Sequence, residues 1–142
     1  MNKDKSSKPA VGEELPALKK IVTQRQVDAY SGVRPKSLHT DPEWAQEKGF
    51  KAPLAQALMS TAYISEMMVR YLGEGYIKGG KMSVSFTKPV FVGETLTVRG
   101  RIKSRAVEGE KTRVTVDISC ENAKGELTLV GVASGIENTC KQ

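Results

Sequence analysis

The stretch LAQALMSTAYISEMMVRYL, residues 54–72, decides the architecture. Apolar side chains occupy most of its circumference at helical spacing, as in a helix enclosed by other elements. Gln56, Ser60, Glu66 and Arg70 interrupt it, and a bilayer core penalises such residues, so the stretch reads as a buried helix rather than a membrane span. Gly73, Gly75, Gly79 and Gly80 then break the pattern. From Lys81 the period becomes two: Met82, Val84 and Phe86, then Leu96, Val98 and Ile102, then Val114, Val116, Ile118 and Cys120, then Leu127 and Leu129. The breaks at Gly93, Glu108-Gly109 and Lys124-Gly125 are short enough to join antiparallel neighbours, which predicts a meander. An antiparallel sheet curled around one long central helix is the economical way to cover that helix, giving an α+β fold.

Upstream, Leu18, Ile21 and Val22 predict a short strand, and Thr23 with Gln26 has the form of a capping box opening a brief helix whose inner face carries Val27 and Tyr30. Gly32 and Pro35 end that helix in an ordered loop running to Leu38. Asp41-Pro42 caps a second short helix that Gly49 terminates. Residues 1–13 carry Lys, Ser, Pro and Gly without periodicity and read as a flexible tail. Residues 14–142 then form a single domain, with no internal repeat.

Composition narrows the function classes. A 39% hydrophobic and 27% charged chain is that of a soluble globular protein. The first residues include no apolar run of signal-peptide length, which predicts a cytoplasmic protein. The net charge of +6 arises from Lys and Arg spread over the whole chain and not interleaved with aromatics, so a solvated basic surface is expected rather than nucleic-acid binding. Cys120 and Cys140 fit no metal or redox spacing and read as free thiols.

The single histidine, His39, lies in the ordered loop just ahead of the Asp41 cap, where rigid elements hold catalytic groups and where imidazole exchanges protons near neutral pH. Its surroundings carry a family likeness: Ser31-Gly32, then Leu38-His39-Thr40-Asp41-Pro42-Glu43-Trp44-Ala45, Gly49-Phe50 and Pro53-Leu54-Ala55-Gln56-Ala57-Leu58-Met59, followed by Phe86-Thr87-Lys88-Pro89-Val90 and Gly93-Glu94-Thr95-Leu96. This set resembles the MaoC-like, (R)-specific enoyl-CoA hydratase family over roughly residues 15–137. The resemblance implies a hot-dog domain that binds an acyl-CoA or other acyl thioester and assembles as a homodimer or higher oligomer. It also implies that trans-2-enoyl and (R)-3-hydroxyacyl thioesters are interconverted, with no cofactor beyond the coenzyme A of the substrate. By position it makes His39 a catalytic residue and the backbone amide of Ala57 the donor to the thioester carbonyl, where a helix N-terminus stabilises a developing enolate. Pro53, Gln56, Met59 and Ser60 are implied to line the substrate.

This chain departs from the family at three positions. Ala57 replaces the usual Gly, and Gln56 replaces a His, so that position cannot carry a proton. The family Asp, five residues before His39, is Arg34 by direct counting or Val33 if one residue is inserted, and neither is a base. Asp28 on the preceding helix is a candidate substitute acid, while Asp41 is expected to cap. Three classes fit: a hydratase or dehydratase, a non-catalytic thioester-binding subunit, and a hot-dog thioesterase using Glu66. An ion pair of Glu66 with Arg70 is the competing role for that acid.

Overall fold

The computed structural model describes residues 8–137. Nine elements follow in order: β1 (Leu18–Ile21), α1 (Gln24–Ser31), α2 (Pro42–Glu47), α3 (Ala57–Leu72), α4 (Glu74–Gly79), β2 (Lys81–Phe86), β3 (Thr95–Glu108), β4 (Lys111–Glu121) and β5 (Leu127–Glu137). The strands form one antiparallel sheet in the order β1-β3-β4-β5-β2. The sheet folds over α3, which is the hot-dog arrangement.

The alternating strands bury one face against α3. Ile64, Met67, Met68 and Leu72 of the helix meet Val98, Ile102, Val114, Val116, Ile118, Cys120, Leu129 and Ala133 of the sheet in one core cluster. Close approach needs a missing side chain on β3: a Cβ on Gly100 would lie 2.9 Å from Met67 Sδ. A smaller cluster of Val22, Val27, Met59, Val90 and Leu96 joins α1 to the start of α3.

Several sequence expectations change here. The helix starts at Ala57, not Leu54, because Leu54 and Ala55 are drawn into extended pairing: Leu54 N donates to Leu38 O at 2.9 Å and Ala55 N to Val90 O at 2.8 Å. The glycine-rich stretch after Leu72 is a further short helix, α4. The meander holds for β3-β4-β5 only. β2 crosses to the far edge and pairs with β5, from Lys81 opposite Ser134 to Phe86 opposite Leu129, so Gly93 does not join sheet neighbours. Nor is α3 covered on every side, since Leu58 is 60% and Val69 38% exposed on its outer face. Tyr30 is exposed, while Val27 is fully buried.

Residues 8–13, expected in the flexible tail, run along β3 instead. Gly12 N donates to Ile102 O at 2.8 Å, Ile102 N to Glu13 O at 2.9 Å and the Arg105 side chain to Pro9 O, so the backbone donor and acceptor of Ile102 on an open stretch of β3, with Arg105, hold the segment. Residues 1–7 of that tail, and Cys140, lie outside the described residues. Among the described residues no helix is long and apolar enough to cross a membrane.

Candidate active site

The loop between α1 and α2 is closed by its own side chains. Ser37 Oγ accepts from the amides of His39 at 3.1 Å and Thr40 at 3.3 Å, and the Thr40 hydroxyl accepts from Arg34 N at 2.9 Å while donating to Arg34 O at 3.0 Å. Asp41 finishes the closure by accepting from Lys36 N at 2.9 Å and Trp44 N at 3.1 Å. Those amides, Lys36 first, hold the Asp41 carboxyl below the usual carboxylate range. The result fixes the His39 backbone, whose carbonyl also accepts from Gln24 Nε2 at 2.9 Å.

The imidazole is oriented as well. His39 Nδ1 lies 2.7 Å from Leu54 O. A carbonyl only accepts, so Nδ1 carries the proton and Nε2 is left as the ring's acceptor. Leu54 is held in turn by its pairing with Leu38 and by a bridge to Phe91.

Three residues beyond Leu54, α3 begins. Gln56 is its N-cap but makes no capping bond with its side chain, and no acidic residue occupies the first turn. The amides of Ala57 and Leu58 therefore have no side-chain cap and form the positive end of the helix dipole. Gln56 Nε2 is used elsewhere, donating to Val27 O at 3.2 Å and to Ser31 Oγ, which clamps the last turn of α1 to the start of α3. Its Oε1 is buried without a partner among the described residues.

His39, Gln56, Ala57 and Ser60 line one cavity of about 380 Å³, closed on the other side by Phe86, Thr87, Lys88, Pro89, Val90 and Thr128. No Asp or Glu lines it. Ser60 is 5% exposed. Thr128 is buried and donates its hydroxyl proton to Cys120 O at 3.3 Å.

The other sequence candidates lie elsewhere. Arg34 is exposed, outside the cavity, and only its backbone is bonded; Val33 is 70% exposed. Met59 points into the smaller core cluster, and Pro53 is buried with its carbonyl accepting from Val92 N at 2.9 Å, so neither lines the cavity. Asp28 accepts from Gln24 Nε2 at 2.9 Å, one residue removed from the His39 backbone, and is also not a lining residue. Glu66 is paired with Lys20 and with Arg70; the Lys20 bond first, then the Arg70 bond, hold its carboxyl low, and it does not line the cavity. Tyr63 Oη is buried without a partner among the described residues and does not line the cavity either; burial pushes that phenol up. Cys120 is a buried thiol pushed up to about 12 by burial. Among the described residues no group of three or more His, Cys, Asp or Glu gathers as a metal site.

The wall from Phe86 to Val90 and Thr128 escaped sequence reading as pocket lining. Its one signal was the Thr87-Lys88-Pro89-Val90 segment, which carries the family likeness but no local mark of facing His39.

A folded sheet over one helix, with a histidine loop opposed to that helix's first turn, defines a hot-dog protein with a cavity at the helix N-terminus. The chain matches the MaoC like domain over residues 7–123 and belongs to that family. It is 30% identical over 97 residues to the (R)-specific enoyl-CoA hydratase of Aeromonas caviae, covering 68% of this chain and 70% of that protein. The fold is shared with the R-hydratase PhaJ1 of Pseudomonas aeruginosa in its unliganded form, at TM-score 0.75 and 24% identity over 91% of this chain and 83% of that one. It is shared too with a chain of the HadBC (3R-hydroxyacyl-ACP dehydratase) complex of Mycobacterium tuberculosis, at TM-score 0.69 and 20% identity over 89% and 96%.

Proposed function

We propose that this chain interconverts trans-2-enoyl-CoA and (R)-3-hydroxyacyl-CoA, with His39 as its proton carrier. The observation that carries the reading is the shared cavity, lined both by a ring whose acceptor nitrogen is free and by the uncapped first turn of α3. A thioester carbonyl held at the Ala57 amide is polarised where negative charge develops.

With no carboxylate in the cavity lining, one imidazole serves both proton transfers. Nε2 takes a proton from water as the water oxygen bonds to C3, and the double-bond electrons move to the carbonyl oxygen as an enolate held by the Ala57 amide. The imidazolium then returns its proton to C2 and the carbonyl re-forms. One water is added, nothing else is consumed, and the reverse sequence is dehydration. Because the same ring serves both carbons, both new bonds form on one face of the alkene. The (R) configuration is the outcome named for the Aeromonas relative.

A second reading, a thioester-binding subunit without turnover, draws support from the exposed Arg34 at the family's acid position. The thioesterase reading loses its acid, since Glu66 is committed to Lys20 and Arg70. Association into a homodimer is supported by the exposed apolar residues Leu58 and Val69 on α3 and by a sheet that ends in the open strand β2.

Incubation with crotonyl-CoA tests this. Loss of the conjugated enoyl absorbance with formation of the (R)-3-hydroxy product is expected. Release of free thiol instead makes the chain a thioesterase, and tight binding with neither product makes it a non-catalytic subunit.

A further inference from the structure

Toward the far end of α3, roughly 20 Å along the helix from Ala57, a cavity of about 310 Å³ lies between the helix and the segment that leads into β1. It shares no residue with the cavity at His39. Pro9, Leu15 and Leu18 from the segment, with Met67 and the Tyr71 ring from α3, make its walls largely apolar, and the mostly exposed Arg70 completes them. Among the described residues no Asp or Glu lines it. The walls are fastened to each other: Arg105 donates to Pro9 O and, at 3.3 Å, to Tyr71 Oη, tying the segment to α3. Charge around the cavity is unbalanced. Glu66 is shared by Lys20 and Arg70, and Glu137 by Lys8 and Arg105, so each carboxylate serves two cations. A guanidinium carries five donors, and the bond from Arg70 to Glu66 uses one nitrogen, Nη2, at 2.9 Å.

We propose that this cavity binds a free medium-chain carboxylate, one saturated chain with an anionic head, at a site separate from the His39 cavity. The apolar walls take the chain, and the planar fork of Arg70 matches the carboxylate head. A neutral alcohol of the same length leaves the excess cation without a partner, and an alkyl ammonium is repelled by it. The volume is at the small end of the roughly 300–1,000 Å³ of ligand sites, which suits one chain and not a two-chain lipid. Because the walls come from two parts of the chain, a ligand held between them clamps residues 9–18 to α3. Binding therefore stabilises the folded state by mass action. The proposal stands apart from the hydratase reading, since the two cavities share no residue.

Calorimetric titration of the full chain with sodium decanoate, kept below its micelle concentration, tests the site. One equivalent should bind, more weakly as salt is added, and should raise the thermal midpoint. Octanoate should bind about tenfold more weakly, because two methylenes leave the apolar wall. Arg70→Gln should weaken decanoate by a similar factor, with Arg70→Lys recovering part of the loss. Leu18→Trp, which fills the cavity, should abolish binding; if that variant melts as unfolded, Arg70→Gln decides alone. No binding by the parent, unchanged affinity in a folded Arg70→Gln variant, or equal binding of decylamine each overturns the proposal. Decanoate that still binds folded Leu18→Trp and competes with crotonyl-CoA sits in the His39 cavity, which also overturns it. A parent that binds no decanoate but loses self-association in Leu18→Trp gives the cavity to a second copy of the chain instead. If no thioester is turned over at all, the hydratase reading fails while the titrations still decide this site.

Discussion

The two ends of α3 obey different rules. From Ile64 to Leu72 its inward residues are apolar and buried against the sheet, with Ile64 and Met68 fully excluded from solvent. From Gln56 to Ser60 the same helix presents an uncapped turn, a buried serine and an unpartnered amide oxygen beside an imidazole. The first end yields stability, because each buried methylene contributes and no polar group is left over. The second costs stability, because uncapped amides and an orphan carbonyl are unfavourable in a folded protein unless something binds them. A site that holds a developing charge has that form.

Substitutions at the two ends should therefore separate activity from stability. His39→Ala should lower kcat/KM for crotonyl-CoA by about 10²–10⁴-fold, the range for losing a general acid-base group, with little change in thermal midpoint. A variant that keeps its turnover would remove His39 from the mechanism. At the other end, Ile64→Ala should cost roughly 2–5 kcal/mol in chemical denaturation, since it opens a cavity in a fully packed site. Its residual activity per folded molecule should stay near that of the parent. If Ile64→Ala lost activity without losing stability, the division between the two ends would be wrong.

A smaller effect is expected at the loop that presents His39. Asp41 has its folded pKa depressed by the Lys36 and Trp44 amides. A group of that kind adds stability above its unfolded pKa and loses it as pH falls through the folded value. Asp41→Asn should thus lower the thermal midpoint modestly at neutral pH, with the difference shrinking as the pH drops below the ordinary aspartate range. A difference that grows in acid would contradict this account of the loop.

The core end of α3 was legible in the sequence as a buried helix, and the two-residue period of Val114 to Cys120 states which face of the strand is buried, because that information is local; the exposed outer face of α3 at Leu58 and Val69 was not legible in a stretch apolar around most of its circumference. The capping box at Thr23 and the Asp41-Pro42 cap were legible for the same reason. The cavity end was half legible. His39 and Ala57 could be placed by family likeness and are brought to one cavity, but its opposite wall depends on β2 crossing to β5, a pairing of Phe86 with Leu129 that no neighbouring residue announces. Met59 and Pro53 fall outside the cavity lining because adjacency in sequence to Ala57 says nothing about which way a helix or an extended segment turns its side chains.

Arg34 shows the same limit most plainly and gives the smallest predicted effect. Counting back from His39 puts it at the family's acid position, and on that count alone a carboxylate there would complete a water-activating pair. The loop geometry opposes this. Thr40, buried to 9% exposure, bonds both the amide and the carbonyl of Arg34, pinning the backbone so that the side chain is exposed and absent from the cavity lining. A carboxylate on the shorter Asp side chain would hang from that same backbone. Arg34→Asp and Arg34→Ala should accordingly each change crotonyl-CoA kcat/KM by less than about threefold, the scale of an exposed charge acting through water. A large gain in Arg34→Asp alone would mean that the loop swings residue 34 into the cavity during turnover. The one-imidazole scheme would then give way to a two-residue site from which this chain has lost one member.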